Sequence, residues 1–247
     1  MKAVWLFTVA LLCAPASHAE TVLGMYAGAG SWLQEYDGEV ASGISNVDVQ
    51  DDLALGDDQN NVFYLGVEHP LPVLPNVRLQ YTMIEAADRS ALTRTLDFNG
   101  VIFPDGAGIE TLVDMTQGDA VFYYELLDNV FSLDVGMAAR WVEGEMWLVS
   151  AGAASRAEFE AWLPLLYGKT RVDLPFTGFW ISAAAMGVAY DNERVLDSNA
   201  QIGWASPYGA GIEFGYRRYE LELGEHGELD RTEVDVSGPY VALNLRF

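Results

Sequence analysis

The chain has 247 residues, and its 36 acidic and 13 basic side chains give a formal net charge of −23. Such an acidic protein is not expected to bind nucleic acid, which attracts basic surfaces, or to be drawn electrostatically to anionic lipid. Its length suffices for one large β domain, and beyond the first residues no apolar stretch is long enough to cross a membrane as a helix.

The first nineteen residues have the layout of a secretory signal peptide. Lys2 precedes a short apolar run, and small residues follow it up to Ala19. The run is too short for a membrane-spanning helix, so we predict a cleaved signal over residues 1–19 and a mature domain over residues 20–247. Cys13 is the single cysteine and leaves with the signal, so the mature chain is expected to contain no disulfide.

Segments in which apolar and polar residues alternate fill the mature chain, and this period of two predicts strands with two different faces. In chain order they cover residues 22–36, 61–69, 76–83, 118–127, 130–141, 163–174, 178–190, 197–204, 211–221 and 237–247. Many have ten residues or more, which exceeds the usual length of strands in soluble proteins. A tilted strand needs about 9–11 residues to cross a bilayer.

The connections between these segments alternate in length. Short turns rich in Pro and Gly occupy residues 69–75, 127–129, 174–178 and 205–209. Longer polar connections occupy residues 37–60, about 90–112 and 144–158, with two shorter ones near 191–195 and 223–231. This asymmetry is typical of outer-membrane barrels, and it predicts both termini on the short-turn side, in the periplasm. We predict an all-β, closed, up-and-down antiparallel transmembrane β-barrel of about ten strands, with eight as the alternative.

Aromatic residues cluster near both ends of the predicted strands, as expected for two membrane–water interfaces. Near the long connections lie Trp32, Tyr36, Trp141, Trp147, Trp162, Tyr190 and Tyr219; near the short turns lie Phe131, Phe179, Trp204, Tyr208 and Phe247. The other reading is that these are core aromatics of a secreted β-sandwich.

Six basic and seven acidic residues nearly balance on the polar face of the strands: Arg78, Arg140, Lys169, Arg171, Arg217 and Arg246, against Glu68, Asp119, Glu125, Asp134, Asp173, Asp197 and Glu213. A ten-stranded barrel is narrow, and large inward residues such as Tyr26, Tyr64, Tyr123 and the arginines would fill much of it. We therefore predict a salt-bridged, largely plugged lumen.

The last strand ends at Phe247, and apolar residues occupy every second position before it, at Val241, Leu243 and Leu245. This pattern resembles the C-terminal signature of bacterial outer-membrane β-barrels, which implies recognition by the barrel-assembly machinery. The segments "GMYAGAGSW", "EHPLPVLPNVRLQY" and "LPLLYGKTRVDLPFTGF" are similar to a family of small, uncharacterised outer-membrane proteins of Gram-negative bacteria. The resemblance implies a location among outer-membrane lipid and lipopolysaccharide, and it implies no activity or functional residues.

Two histidines of the mature chain were considered for catalysis. His69 lies in a predicted short turn, and His226 lies in the last long connection near Glu228 and Asp230. An omptin-like protease needs an Asp–His pair, and a lipid-A acylhydrolase needs a Ser–His pair on its strands. So acidic a loop supplies carboxylates by chance, and no Ser pairs convincingly with His226. We therefore predict no enzyme, no catalytic residues and no cofactor.

An acidic stretch in the first long connection was considered for calcium. It carries Asp48, Asp51, Asp52, Asp57 and Asp58 without a basic neighbour. Carboxylate oxygens suit Ca²⁺, but the spacing does not match an EF-hand, and a solvated acidic loop is the commoner explanation. We predict no metal site.

These observations predict a monomeric structural or interaction protein of the outer membrane with acidic extracellular loops. A narrow channel for small solutes or apolar compounds is the first alternative, and an outer-membrane hydrolase is the second. Glycines within the strands, as in "GAGSW" and "GAGIEFG", are not phosphate loops and are expected to make room for large neighbours.

Overall fold

A computed structural model describes residues 23–42, 45–190, 193–224 and 231–247. The predicted signal peptide over residues 1–19 and the segment with His226, Glu228 and Asp230 lie outside the described residues.

Thirteen strands form within the described residues. They are β1 (Gly24–Ser42), β2 (Ser45–Asp48), β3 (Asp58–Glu68), β4 (Asn76–Ala91), β5 (Leu96–Phe98), β6 (Val101–Phe103), β7 (Gly108–Asp128), β8 (Phe131–Ser150), β9 (Ala154–Asp173), β10 (Phe179–Tyr190), β11 (Glu193–Ala205), β12 (Ala210–Leu223) and β13 (Arg231–Arg246). All strands except β2, β5 and β6 form one antiparallel sheet in chain order, and β13 pairs back with β1. The sheet is therefore a closed barrel of ten strands, and the predicted fold class is confirmed.

The first and last strands pair along most of their length. The register runs from Tyr26 opposite Arg246 to Ala41 opposite Arg231. At the end of this seam the N–H of Phe247 donates to the carbonyl of Met25 (2.8 Å), and the N–H of Met25 donates back to Phe247 (3.2 Å). The main-chain groups of the terminal residue are thus part of the closed wall.

The two ends of the barrel differ. One end carries Leu23, Phe247 and the four short turns, each where the sequence predicts it; we call this the terminal end. The opposite, distal end carries β2 and the β5–β6 hairpin. Asn99 and Gly100 both have positive φ (48° and 76°) at the tip of that hairpin, as a tight two-residue turn requires.

The long connections are shorter than the sequence predicts, because strands continue into them. β8 extends to Ser150 and β9 begins at Ala154, so most of the loop predicted over residues 144–158 is a regular hairpin. Strands β4 and β7 likewise extend into the connection predicted over residues 90–112, and β1 extends into that of residues 37–60. These loop predictions were wrong because the strands continue through the connections with their faces reversed, so that polar residues point outward and apolar residues point inward.

The reversal is clear on β8. In the terminal half Met137 is exposed on the outer face while Arg140 is fully buried inside. In the distal half Glu143 is exposed on the outer face, whereas Val142 and Met146 are buried inside. The distal half therefore has the polarity of a water-soluble barrel, and the terminal half has the polarity of a membrane barrel.

The same change occurs on the strands that close the barrel. On β12 the exposed outer residues change from Phe214 and Tyr216 to Arg218, while the inner residues change from Arg217 to Leu221. Large apolar side chains cover the outside of the terminal half: Leu23, Met25, Phe63, Leu65, Leu79, Tyr81, Phe122, Tyr124, Val135, Met137, Leu166, Ile181, Ile202, Phe214, Tyr216, Val241, Leu243 and Leu245 are exposed there.

The aromatic residues follow this division in part. All five predicted near the short turns are exposed on the outside of the terminal end: Phe131, Phe179, Trp204, Tyr208 and Phe247. Of those predicted near the other interface, Trp147, Trp162 and Tyr190 are exposed. Trp32, Tyr36 and Tyr219 are instead buried inside the barrel, so their assignment to an interface was wrong. Their side chains occupy inward positions of the alternation, where they contact the polar groups described next.

Among the described residues there is no helix of the length and apolarity that a membrane crossing would need.

Candidate functional site

Four charged side chains meet inside the barrel at the height where the polarity reverses. Arg140 of β8 donates to both oxygens of Asp119 on β7 (2.7 and 2.9 Å) and to Asp197 on β11 (2.6 Å). Arg217 of β12 donates to both oxygens of the same Asp197 (2.9 and 2.6 Å). We call these four residues the central cluster; it holds two positive and two negative charges.

Solvent barely reaches the central cluster. The side chains of Arg140 and Asp119 are 0% exposed, and those of Asp197 and Arg217 are 2% and 5% exposed. Burial of single charges is costly, so such a group persists only when every charge is paired and hydrogen-bonded. The predicted salt bridges within the lumen are therefore present, and they lie in one layer.

Two aromatic rings and a hydroxyl extend this layer across the interior. The guanidinium of Arg217 lies 4.7 Å from the ring centre of Trp32 on β1, and it donates to Thr82 Oγ1 on β4 (3.1 Å). The guanidinium of Arg140 lies 5.2 Å from the ring of Tyr219. Six strands thus contribute to the layer, and contacts from β12 reach the opposite wall at β4.

The interior of the terminal half is polar and rich in tyrosine. Tyr64 donates to Glu213 Oε1 (2.9 Å), which also accepts from the amide of Asn244 (2.6 Å). Arg78 lies over the ring of Tyr64 at 4.6 Å. A cavity of about 50 Å³ remains here, with Arg78 and Lys169 among its lining residues. Side chains that hydrogen-bond to one another thus occupy much of the lumen in this half.

Two glycines leave room for the tyrosine rings. Tyr64 packs across the strand pair onto Gly28, and Tyr26 packs onto Gly66, so a Cβ at either glycine would overlap the ring. The expectation that strand glycines make room for large neighbours is confirmed at these positions.

The interior of the distal half is apolar, and we call it the distal chamber. Its lining includes Tyr36, Val40, Val49, Leu55, Ile84, Met115, Met146, Ala157, Phe159, Thr232 and Val234. A cavity of about 50 Å³ lies between them. The chamber was not predicted from the sequence, because the acidic residues that alternate with its lining favour solvated loops.

A cap made of residues 46–57 and the β5–β6 hairpin covers the distal chamber. Leu53, Leu96, Phe98 and Phe103 are fully buried beneath it. Arg94 fastens the cap, because its guanidinium donates to both oxygens of Asp52 and to the carbonyl of Asn46. Burial opposes ionisation of Asp52, but the hydrogen bonds from Arg94 and from the backbone N–H of Asp48 outweigh it and lower the pKa of this carboxyl.

Two of the five aspartates in the acidic stretch, Asp48 and Asp52, have other partners in the structure. Asp48 accepts the N–H groups of Gln50 (2.8 Å) and Asp51 (2.6 Å), which makes a tight turn. Asp52 pairs with Arg94. Across the described ranges, no three His, Cys, Asp or Glu side chains lie close enough together to hold a metal ion.

His69 organises a turn at the terminal end. Its Nδ1 accepts the N–H of Leu71 (3.3 Å), which leaves Nε2 to donate to the carbonyl of Pro75 (3.1 Å). Both ring nitrogens are therefore used in holding the connection between β3 and β4.

The fold defines a class: a closed, antiparallel, ten-stranded β-barrel whose terminal half is apolar outside and polar inside. No protein-family model matches the sequence, and no curated protein matches it either.

Several solved structures align with most of this chain at low identity and low TM-score. Ail, the attachment invasion locus protein of Yersinia pestis, solved with a heparin analogue, shares 9% identity over 91% of this chain and 99% of its own, with a TM-score of 0.42. Neisserial surface protein A shares 9% identity over 90% of this chain and 97% of its own, with a TM-score of 0.34. The toluene transporter TodX of Pseudomonas putida shares 8% identity over 93% of this chain and 91% of its own, with a TM-score of 0.32.

Proposed function

We propose that this protein is an integral outer-membrane barrel whose terminal half lies in the bilayer. The support is the band of exposed apolar side chains around that half, which would be costly in water. We further propose that the terminal end faces the periplasm and the distal half stands outside the cell. Above the bilayer, water on the outside accounts for charged outer faces and an apolar interior.

The function that the geometry supports best is a structural or interaction role with a closed lumen. The central cluster carries this proposal, because its four buried charges and their partners on β1 and β4 fill the lumen at one height. The four charges of this layer are paired with one another, which favours such a role over catalysis, although Arg140 Nη1 and the hydroxyl of Tyr219 are buried without a hydrogen-bond partner among the described residues. β13 pairs with β1, so the first and last strands leave no open edge at this seam, which supports a monomer.

The surface offered to partners is the outer face of the distal half. Its acidic side chains outnumber the basic ones: Glu35, Asp37, Glu39, Glu85, Glu110, Asp114, Glu143, Glu145, Glu158, Glu160, Glu220, Glu222, Glu233 and Asp235 face outward, against Arg89, Arg156, Arg194, Arg218 and Arg231. We propose that this surface adjoins the phosphate groups of lipopolysaccharide, with divalent cations between the two sets of negative charges.

Conductance across a planar bilayer tests the closed lumen. We expect no steady conductance from the refolded protein, and frequent openings from Arg217→Ala, because this change removes the group that joins Asp197 to the opposite wall. Arg218→Ala is the matched control, since Arg218 is the next residue and points outward. Large, stable conductance steps from the unmodified protein would refute a closed lumen and favour the narrow channel.

Location and orientation are tested by labelling intact cells. The single natural cysteine, Cys13, lies within the predicted signal, so one cysteine can be introduced into the mature chain at a time. We expect a membrane-impermeant maleimide to label Glu158→Cys at the distal end and to leave Thr177→Cys in a terminal turn unlabelled until the cells are opened. Equal labelling of both positions in intact cells would contradict the orientation.

A further inference from the structure

One seam of the barrel wall is incompletely paired. β3 and β4 pair only from Val62 opposite Thr82 to Val67 opposite Val77. β3 continues distally to Asp58 with a main-chain ladder to β1 only, and β4 continues to Ala91 with a main-chain ladder to β7 only. The wall between these two extensions therefore lacks a ladder of main-chain hydrogen bonds, and we call this stretch the slot. Near its distal end β4 is also tied to the cap, because Ser90 donates to the carbonyl of Asp52 (2.8 Å) and the N–H of Gly56 donates to Asp88 (3.2 Å).

Three inward-facing side chains cross the slot. Asn60 donates to the carbonyl of Glu85 (2.7 Å), Gln34 donates to the carbonyl of Met83 (3.0 Å), and Tyr36 donates to Glu85 as well (3.2 Å). They also bind each other, since Gln34 Oε1 accepts from Tyr36 (2.6 Å) and Asn60 (2.7 Å). We call these three residues the side-chain bridge; it closes the slot by rotatable side chains instead of fixed backbone.

The distal chamber lies directly behind the side-chain bridge. Tyr36 belongs to both, and Ile84, next to Met83 on β4, lines the cavity. Apolar cavities stay free of water and can take up apolar molecules. Met115 on β7 and Met146 on the neighbouring strand β8 both line the cavity. Methionine side chains are flexible and adapt readily to an added group.

A groove lies in front of the slot on the outer surface. Its volume is about 660 Å³, and its lining includes Gln59, Asn60, Glu85, Leu112 and Trp147. Asn60 therefore lines the groove while its bonding partner Tyr36 lines the cavity. Val113, Asp114 and Glu145 on β7 and β8 line both spaces, so the side-chain bridge and this part of the wall together separate the groove from the cavity.

We propose that the distal chamber binds the end of an alkyl chain, which enters through the slot when the side-chain bridge opens. The size of the cavity favours a chain over a ring, because an apolar cavity that holds benzene measures about 150 Å³ and this one about 50 Å³. A free hydrocarbon and the acyl chain of a lipid share this chemistry. The proposal goes beyond a closed lumen and does not depend on it, since the chamber lies on the distal side of the central cluster.

Methionine methyl groups provide the readout. The protein is labelled with ¹³C-methyl methionine and refolded in a fluorinated surfactant, whose chains do not compete as hydrocarbons. Addition of n-hexane should shift Met115 and Met146, which line the cavity, and leave Met186 in the terminal half unchanged. Shifts confined to Met25 and Met137 on the outer surface, or no saturable shift, would overturn the proposal.

A second titration separates the two sources of the chain. Dihexanoyl phosphatidylcholine, below its micellar concentration, should shift the same two methyl groups if a lipid acyl chain can enter. A response to n-hexane alone assigns the chamber to free hydrocarbons. Both results support an alkyl site. If neither n-hexane nor the lipid shifts these methyl groups, the proposal is refuted.

Two variant pairs test the cavity and the route. Ala157→Leu fills the cavity and should weaken n-hexane binding at least tenfold, whereas Ala183→Leu adds the same bulk on the outer surface and should not. Asn60→Ala should speed exchange of n-hexane about fivefold, as expected for the loss of a hydrogen bond, while the outward Asn61→Ala should leave it unchanged. If Ala157→Leu fails to fold, the second pair still decides, because equal exchange in Asn60→Ala and Asn61→Ala excludes the slot.

Discussion

At the residue scale, the central cluster explains why polar residues lie in the middle of a narrow barrel. Asp197 accepts from Arg140 and Arg217 at once, so removal of any one member leaves a buried charge without a full set of partners. The sequence identified these residues as inward-facing, because they occupy the polar positions of alternating strands. Only the register decides that Asp119 lies opposite Arg140 and that Arg217 comes near Asp197.

The Asp52–Arg94 pair at the cap should make the distal end sensitive to acid. The pKa of Asp52 is lowered in the folded protein, so its contribution is full above the pKa of the unfolded chain and is lost as pH falls through the folded value. We expect the amides of residues 48–53 to be protected at neutral pH and to lose protection below pH about 4. Hydrogen exchange at a series of pH values measures this.

Asp52→Asn is the control for the acid response. It keeps the shape of the side chain but removes the charge, so the amides of residues 48–53 should be weakly protected at every pH. Asp52→Asn with the same protection as the natural protein at neutral pH would contradict this role of the pair.

At the element scale, the strands are longer than a bilayer requires. β8 has 20 residues, or roughly 65 Å along the strand, and even when tilted it exceeds a hydrocarbon core of about 30 Å. With the terminal half in the bilayer, as proposed above, the excess accounts for the reversal of the two faces, since one strand would pass from lipid into water. The alternation of residues continues through the extra length of the strand. Its acidic residues favour loops in the sequence, whereas in the structure they are outward-facing positions of a strand.

A lysine placed on the two parts of β8 should have opposite consequences. Met137→Lys puts a charge on the apolar outer face of the terminal half and should cost about 2–4 kcal/mol of folding free energy if it lies near the bilayer midplane. Trp147→Lys lies on the outer face of the distal half and should cost little folding free energy. Refolding into lipid vesicles with urea titration measures both. Equal destabilisation by the two variants would place the bilayer elsewhere.

At the scale of the whole molecule, closure between β1 and β13 is what makes the sheet a barrel. Phe247 takes part through its main chain, which exchanges two hydrogen bonds with Met25, and its ring lies exposed on the outer surface. The ring is therefore free to be contacted during assembly, in line with the resemblance of the last strand to a signal for the barrel-assembly machinery.

Deletion of Phe247 should impair insertion. We expect a clear loss of the protein from the outer-membrane fraction, with little change in the fold of the molecules that do insert, because the rest of the seam to Arg231 is intact. Immunoblots of separated membranes measure the level. The conservative Phe247→Tyr should retain it, and a normal level of the truncated protein would contradict the role of the terminal residue.

From the sequence alone follow about ten strands, with eight as the alternative, the four short turns and an apolar face turned outward, because a period of two and turn residues are local properties of the chain. It predicted charged residues in the lumen for the same reason. The tertiary structure decided what local pattern cannot specify: that Trp32 points inward onto Arg217, that Asp52 meets Arg94 across 42 positions, and that β3 and β4 part above Thr82. These contacts depend on the register between distant strands, and register is fixed only when the whole sheet closes.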